Sequence, residues 1–344
     1  MCDSSTNLTV TRYEDSEKSK WDAFVSGAKN STFLFQRDYM DYHRERFTDY
    51  SLLVSEGNNL AAVLPANIGR DGVLVSHQGL TYGGLVVGRT ATLCEVLACF
   101  QAALSYLDEQ RIERLLYKRI PAFYNTLPDD EMDYALFLLD ARLYRRDCAL
   151  VVPMSDRLPL QTRRKREIKK AIRQGVRVVQ ETSFVPYWER VLAPRLACRF
   201  GVKPVHSVEE ITLLASRFPE NIKLFSVYHV DNLLAGVVIY ETPGVAHAQY
   251  IAVTDEGQEM GALDYLFGWL MDEHYRNKRF FDFGICNEQD GRALNRGLLE
   301  WKEGFGGRCY AHDFYEVVTA NHVKLGSVLS RNGSKHAEAC ARTN

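Results

Sequence analysis

The sequence predicts an α/β protein of the α+β kind, built as two similar domains in tandem, each a mixed β-sheet flanked by helices. Three observations carry that prediction. The chain has 344 residues, and compact domains run to about 100–200 residues each. Strand-like and helix-like patterns alternate in the same order in both halves. The two halves also align without gaps in one register: Arg142, Tyr144, Asp147, Val151 and Val152 meet Arg308, Tyr310, Asp313, Val317 and Val318. In that register Leu97, Phe100 and Leu104 fall on Leu263, Leu266 and Leu270, the apolar face of one helix. Amphipathic elements share apolar periodicity in any case, so the Arg, Tyr and Asp matches weigh more than the leucines. An internal duplication follows, with domains expected at 1–152 and 153–320 and a C-terminal tail at 321–344.

The first half opens with the strand pattern LTVTRY, a helix near Trp21–Ala28 and the aromatic run FLFQRDYMDYHRERF. SLLVSEGNNLAAVLPANI then reads as a hairpin turning at Glu56–Asn59, and SHQGLTYGGLVV as a further strand region. Leu93, Val96, Leu97, Phe100, Leu104 and Leu107 mark one helical face. RIERLLYKRI is strand-like, about Asp129–Leu139 helical, and ARLYRRDCALVV closes the half as a strand.

Between the halves lies TRRKREIKKAIRQG, in which seven residues from Arg163 to Arg173 are basic and only Glu167 is acidic. Ile168, Ala171 and Ile172 give it a narrow apolar stripe, so it reads as a surface helix ending at Gly175. Its charge is either a solvated face or a phosphate-binding one. The second half follows with strands in IKLFSVYHVDNLLAGVVIYE and AHAQYIAVTD, a glycine turn at Gly257–Gly261, helix ALDYLFGWLMDEHY, strand RFFDFGI, helix GRALNRGLLEWKE and strand GRCYAHDFYEVV. The tail RNGSKHAEACARTN has no periodicity and is expected to fray.

Composition narrows the function. The chain is 46% hydrophobic and 25% charged with a formal charge of -2, an ordinary globular make-up without a global field for polyanions. Eight cysteines show no C-x-x-C pair and no metal-type spacing with the histidines, so reduced thiols in a cytoplasmic protein and no metal site are expected. No signal-peptide core and no membrane-spanning run is present in the sequence.

Chemistry gathers in the second half. The turn after AVTD places Gly257, Gln258 and Gly261 at the opening of a helix, where backbone N–H groups can face an anion. Glycine at such a turn is also needed for backbone geometry alone. FDFGICNEQDGRALNRGLLEWKEGFGG brings Asp282, Asn287, Asn295 and Lys302 around a strand and a helix.

With TYGGLVV, YKRIPAFY, RRKREIKKAIRQGV, RFGVKPVHS, AQYIAVTDEGQEMGALDYL, FDFG and LLEWKEGFGGR in this order, the chain resembles the GNAT acyltransferases in the tandem form shared with Fem-type peptidyltransferases. The likeness covers most of the chain. Gln258 and Gly261 match the Gln/Arg-x-x-Gly-x-Gly/Ala turn of that family, while Leu263 stands at its last small position and Ala262 is the neighbouring small residue. The resemblance implies amine attack on a thioester, with acyl-CoA as co-substrate, no prosthetic group, and the donor arm adding along AQYIAVTD. Gln249, Gly257, Gln258, Gly261, Ala262 and Asn295 are then the donor-binding candidates. It implies Lys302 as the cation facing the developing negative charge, Tyr250 as proton donor or orienting group, and Arg199 on an acceptor phosphate. His206 is either a base or a hydrogen-bonded structural histidine. His77, Tyr82, Gly83, Lys118 and Tyr124 from the first half, with Asn287, are candidates for the acceptor side, although ordinary packing explains them nearly as well.

The expected acceptor is the amine of a nucleotide-linked amino sugar in bacterial surface polysaccharide (O-antigen, lipopolysaccharide) synthesis, because no long helical-arm insertion is present. Two other readings stay open. One is a Fem-type transfer from aminoacyl-tRNA to a peptidoglycan precursor, supported by the basic helix and opposed by the net charge. The other is a non-catalytic binding module of the same fold.

Overall fold

The computed structural model describes residues 7–330. The expected fraying of 331–344 lies outside the described residues. The chain divides into two compact units: one holds the chain through Arg145 and from Asp313 onward, the other Arg146–His312.

In the first unit a four-stranded sheet orders Leu8–Arg12, Leu52–Glu56, Asn59–Leu64 and Val86–Val87, with the expected turn between Glu56 and Asn59. A second set of strands includes Leu74–Val75, which runs parallel to Arg114–Lys118. Helix Leu93–Glu109 starts at a capping box, Thr92 with Glu95. It buries Val96, Leu97, Phe100, Leu104 and Leu107 in the unit's core, about 1.5–3 kcal/mol for each large apolar side chain removed from water.

In the second unit strands Arg177–Glu181, Ile222–His229, Asn232–Glu241 and Val245–Val253 pair antiparallel in sequence. Val245–Val253 then runs parallel to Phe280–Ile285. Over this sheet lies helix Ala262–Trp269, whose Leu266 and Phe267 are fully buried, continued by a wider turn through His274. The basic helix Thr162–Arg173 packs on it: Ala171 is buried, and Ile168 reaches Gly268 so closely that a Cβ there would stand 2.9 Å from its Cδ1. Arg164 also turns inward and pairs with Asp264. Arg163, Lys165, Arg166, Lys169 and Arg173 face out.

Four details differ from the sequence expectation. The division falls not at 152/153 but at Arg145/Arg146 and His312/Asp313, because the closing strand of each half pairs into the other unit. Ala149, Val151, Val152 and Pro153 meet strand Phe280–Ile285, and Phe314–Val318 meet Lys118–Arg114. Leu150, Val151, Val152 and Val317 are fully buried there, which is what holds the exchanged strands. The expected tail begins with helix His322–Leu329, anchored by Leu325 in the first unit's core. The stretch 76–84 is turns and bends rather than strand, with a single bridge from Gly83 to Arg119. Finally, Cys148 and Cys309 are disulfide-bonded, with Cα atoms 5.3 Å apart. They are neighbours in space and remote in sequence, so no spacing motif reveals them.

Candidate functional site

The parallel pair in the second unit is short. Val245 meets Phe280, Ala246 meets Phe281 and His247 meets Asp282, and no further rung joins the two strands among the described residues. Two local causes part them. On the first strand the register moves from Ile239↔Ala248 to Val238↔Tyr250, leaving Gln249 as an extra residue, and such a bulge bends and twists its strand. On the second, Gly284 adopts a left-handed conformation at φ 74°, open to glycine at little cost. The strands therefore form a fork whose last closed rung is His247 with Asp282.

Polar groups concentrate at that rung. Asp282, 3% exposed, accepts from the Gly284 N–H at 2.7 Å and lies 2.7 Å from His247 Nδ1. His247 Nε2 is 3.0 Å from Gln249 Oε1. A Cβ on Gly284 would stand 3.4 Å from His247 Cε1, so the imidazole lies against this glycine. From helix Arg296–Glu303, Lys302 donates to the carbonyls of Gly284 at 2.9 Å and Ile285 at 2.6 Å.

Lys302 is 2% exposed. Burial lowers its pKa to about 8, with Asp282 and Cys286 opposing the shift. An ammonium has three N–H donors, and these two bonds commit two of them. Asn295 serves this arrangement as the cap of the lysine's helix: its Oδ1 accepts from Leu298 N at 3.1 Å and its Nδ2 donates to Glu288 at 3.0 Å.

The remaining second-unit candidates are distributed differently. Tyr250 and His206 are joined side chain to side chain through the phenol and Nδ1, and Trp188 packs on Tyr250 at 5.0 Å. Burial raises the Tyr250 pKa, so the phenol keeps its proton. Arg199 stands on the exposed side of helix Ala193–Phe200. Asn287 is a clamp: it accepts from Cys148 N at 2.6 Å and donates to Asp147 at 2.7 Å.

The glycine turn is helical, Asp255–Met260, and its amides are used internally. Gly257 N donates to Thr254 Oγ1 at 3.0 Å, Gln258 N to Thr254 O at 2.9 Å and Gly261 N to Gln258 O at 3.3 Å. The Gln258 side chain accepts from Arg195 at 3.0 Å. Packing explains both glycines, since a Cβ would lie 2.5 Å from Leu234 O at Gly257 and 2.8 Å from Glu167 O at Gly261, where φ is 73°. Ala262, fully buried, opens the next helix.

The first-unit candidates do gather. Lys118 donates to the carbonyls of His77 at 3.0 Å and of Leu80, and Gly83 N donates back to Lys118 O at 3.0 Å. Tyr82 and Tyr124 pack at 4.6 Å, and Tyr82 donates to Thr32 at 3.2 Å. His77 is 2% exposed at φ 143° beside His43, and burial depresses its pKa well below the ordinary imidazole range.

Sequence reasoning singled out Gln249, Asp282 and Lys302 but missed His247. Its signal is the AHAQY alternation, which brings His247 and Gln249 close enough for their side chains to touch across a small residue on the strand proposed for the donor. Among the described residues no group of His, Cys, Asp and Glu is arranged to hold a metal, and no helix is long and apolar enough to cross a membrane.

No family model and no curated protein sequence matches the chain. Solved structures do. FemX matches with a TM-score of 0.65 at 10% identity, over 92% of this chain and 99% of that one. The C-terminal domain of a lysylphosphatidylglycerol synthetase from Agrobacterium fabrum matches at 0.57 and 12%, over 92% and 95%. L-PGS from Bacillus licheniformis matches at 0.57 and 11%, over 91% and 97%. At such identities the likeness speaks for the fold alone, and that fold agrees with the α+β architecture expected: two units of β-sheet flanked by helices.

Proposed function

We propose that the protein is an amide-forming acyltransferase whose reaction takes place at the fork of the second unit, and that its donor is an aminoacyl ester carried on tRNA. The observation that carries the transferase reading is Lys302, a buried ammonium fixed on two backbone carbonyls beside the last closed rung. When an amine nitrogen adds to an acyl carbonyl, negative charge collects on the carbonyl oxygen. A preorganised buried cation stabilises that charge by several kcal/mol. An α-amino group, with pKa about 7.7–8.0, is roughly 10–20% in its nucleophilic neutral form at pH 7.

Two features favour the tRNA-borne ester. The amides of Gly257, Gln258 and Gly261, expected to cradle a diphosphate, are already bonded within their own helix. The helix Thr162–Arg173 of the same unit turns five cations outward, a local phosphate-binding strip that a net charge of -2 conceals. The acceptor in this reading is an amine of a peptidoglycan precursor.

A second reading, acyl-CoA-dependent acylation of a nucleotide-linked amino sugar, is favoured by the fork itself. Past His247 the strand edge offers backbone groups to which an amide-bearing arm such as pantetheine can add like a further strand. The test supplies purified protein with radiolabelled aminoacyl-tRNA or acyl-CoA and both acceptor types. Label passing from aminoacyl-tRNA, and falling steeply as salt rises, supports the first reading. Label passing only from acyl-CoA replaces it with the second. An inert protein whose integrity is verified overturns both.

A further inference from the structure

We propose that His247, held by Asp282, is the proton carrier of this reaction: its Nε2 takes the proton from the attacking amine and delivers it to the departing donor oxygen. The inference rests on the acyltransferase reading and assigns a residue that the resemblance does not supply.

The geometry is that of an oriented base. Asp282 is buried and fixed by the Gly284 N–H, so its other oxygen, 2.7 Å from His247 Nδ1, holds the ring in one orientation. With Nδ1–H committed to Asp282, a neutral imidazole carries its lone pair on Nε2, and the carboxylate stabilises the imidazolium that forms after proton uptake. Nε2 points to Gln249, the bulged residue at which the strand leaves its partner. The Gln249 amide oxygen accepts from Nε2–H of the protonated ring, and in the neutral ring an incoming N–H donor displaces that oxygen from Nε2. The ring lies against Gly284, whose carbonyl holds Lys302. One glycine thus separates the proton carrier from the cation assigned to the oxyanion, and a Cβ there would meet the ring at van der Waals distance. Asp282 and, through Gly284, Lys302 are charged groups beside the imidazole.

The proton balance says when this residue matters most. The amine lone pair forms the C–N bond and the carbonyl π pair moves to oxygen beside Lys302. His247 Nε2 removes a proton from the cationic nitrogen. On collapse the C–O bond to the donor breaks, and the imidazolium returns the proton to the leaving oxygen. An alkoxide is a poor leaving group, being far more basic than a thiolate. A thiolate, with a conjugate acid near about 8.5, leaves without help. His247 is therefore needed far more for an oxygen ester than for a thioester of the same acyl group.

The experiment measures single-turnover rates for the wild type, His247→Ala, His247→Gln and Asp282→Asn at saturating donor, with an aminoacyl ester and the matching aminoacyl thioester, with and without added imidazole. The expected result is a loss of about 10²-fold or more for His247→Ala on the ester. The thioester loss is at least about tenfold smaller, and imidazole restores part of the ester rate. Asp282→Asn lies between. Equal losses on both donors without rescue, in variants that unfold at the wild-type midpoint, give His247 a structural role and overturn the inference, as does an unchanged ester rate. Either of those results in an actively transferring wild type leaves the acyltransferase reading standing. A wild type inert toward both donors overturns both together.

Discussion

Each unit carries a parallel pair of strands and a lysine seated on backbone carbonyls, and the two places are built to opposite ends. In the second unit the pair Val245–Val253 with Phe280–Ile285 closes three rungs and parts, and Lys302 reaches in beside His247 and Asp282. In the first unit Leu74–Val75 runs parallel to Arg114–Lys118, which stands in the repeat register where Phe280 and Gly284 stand in the other. There the chain fills its own fork. Ser76 N donates to Leu116 O at 3.0 Å, Ser76 Oγ accepts from Lys118 N at 2.8 Å, and Lys118 ties down the turn after His77. The two units thus hold one opened fork with its polar groups at the mouth and one closed by a turn of packed aromatic rings.

The sharpest way to break this comparison is to add a methyl group on either side. At Gly83 a Cβ would fall inside the Ser76 carbonyl. Gly83→Ala is expected to cost more than about 4 kcal/mol, enough to abolish folding, as read from denaturant midpoints. At Gly284 the nearest atom to a Cβ is 3.4 Å away, so Gly284→Ala bears only the strain of its left-handed backbone, about 1–3 kcal/mol, and folds. Equal costs would refute the filled-versus-open distinction.

The next effect concerns the basic helix. Arg164 and Asp264 form a buried pair, and burial raises the Asp264 pKa against the pull of Arg164. Asp264→Ala leaves that guanidinium stranded and is expected to cost about 3–5 kcal/mol. A combined Arg164→Met and Asp264→Leu change, measured in the same denaturation series, should recover most of the loss.

Proton linkage separates the lysines more finely. Burial, helped by Arg145, lowers Lys118 to about 7, against about 8 for Lys302, from an ordinary 10.5. Between the folded and ordinary values the unfolded chain binds more protons, so each lysine makes stability rise with pH across that window. The rise begins nearer pH 7 for Lys118. Urea midpoints from pH 7 to about 9.5 should therefore climb less in Lys118→Met than in the wild type, and the deficit should exceed that of Lys302→Met.

The smallest expected effect is at the outward face of the basic helix. Changing Lys165, Arg166 and Lys169 to Gln should move stability by no more than about 0.5 kcal/mol. It should weaken binding of aminoacyl-tRNA and flatten its salt dependence, by up to about 0.7–0.9 in log–log slope for each phosphate no longer neutralised.

Much of this was legible in the residues. The leucine and phenylalanine face repeated at Leu97, Phe100, Leu104 and Leu263, Leu266, Leu270 is the buried helix face in both units. The helix stop at Gly175 follows from its φ of 73°. Strand pairing was not legible, because local pattern cannot tell which neighbour a strand joins, and the closing strands of the two halves join across the repeat. The glycine turn is ambiguous in sequence because glycine answers two needs. At Gly257 and Gly261 close packing against Leu234 and Glu167 requires it, and a sequence does not distinguish that from a ligand's approach. Lys302 was found through its segment's likeness to a family, whereas His247 depends on a bulge at Gln249 that no residue type announces.

The most direct measurement compares the two lysines in one assay: single-turnover amide formation by Lys302→Met and Lys118→Met, with donor binding followed in parallel. The account predicts that Lys302→Met loses about 10²–10³-fold in rate while still binding donor, and that Lys118→Met, if folded, stays within about threefold of the wild type. A Lys302→Met protein that turns over at the wild-type rate, or a Lys118→Met protein that loses the rate instead, would contradict it.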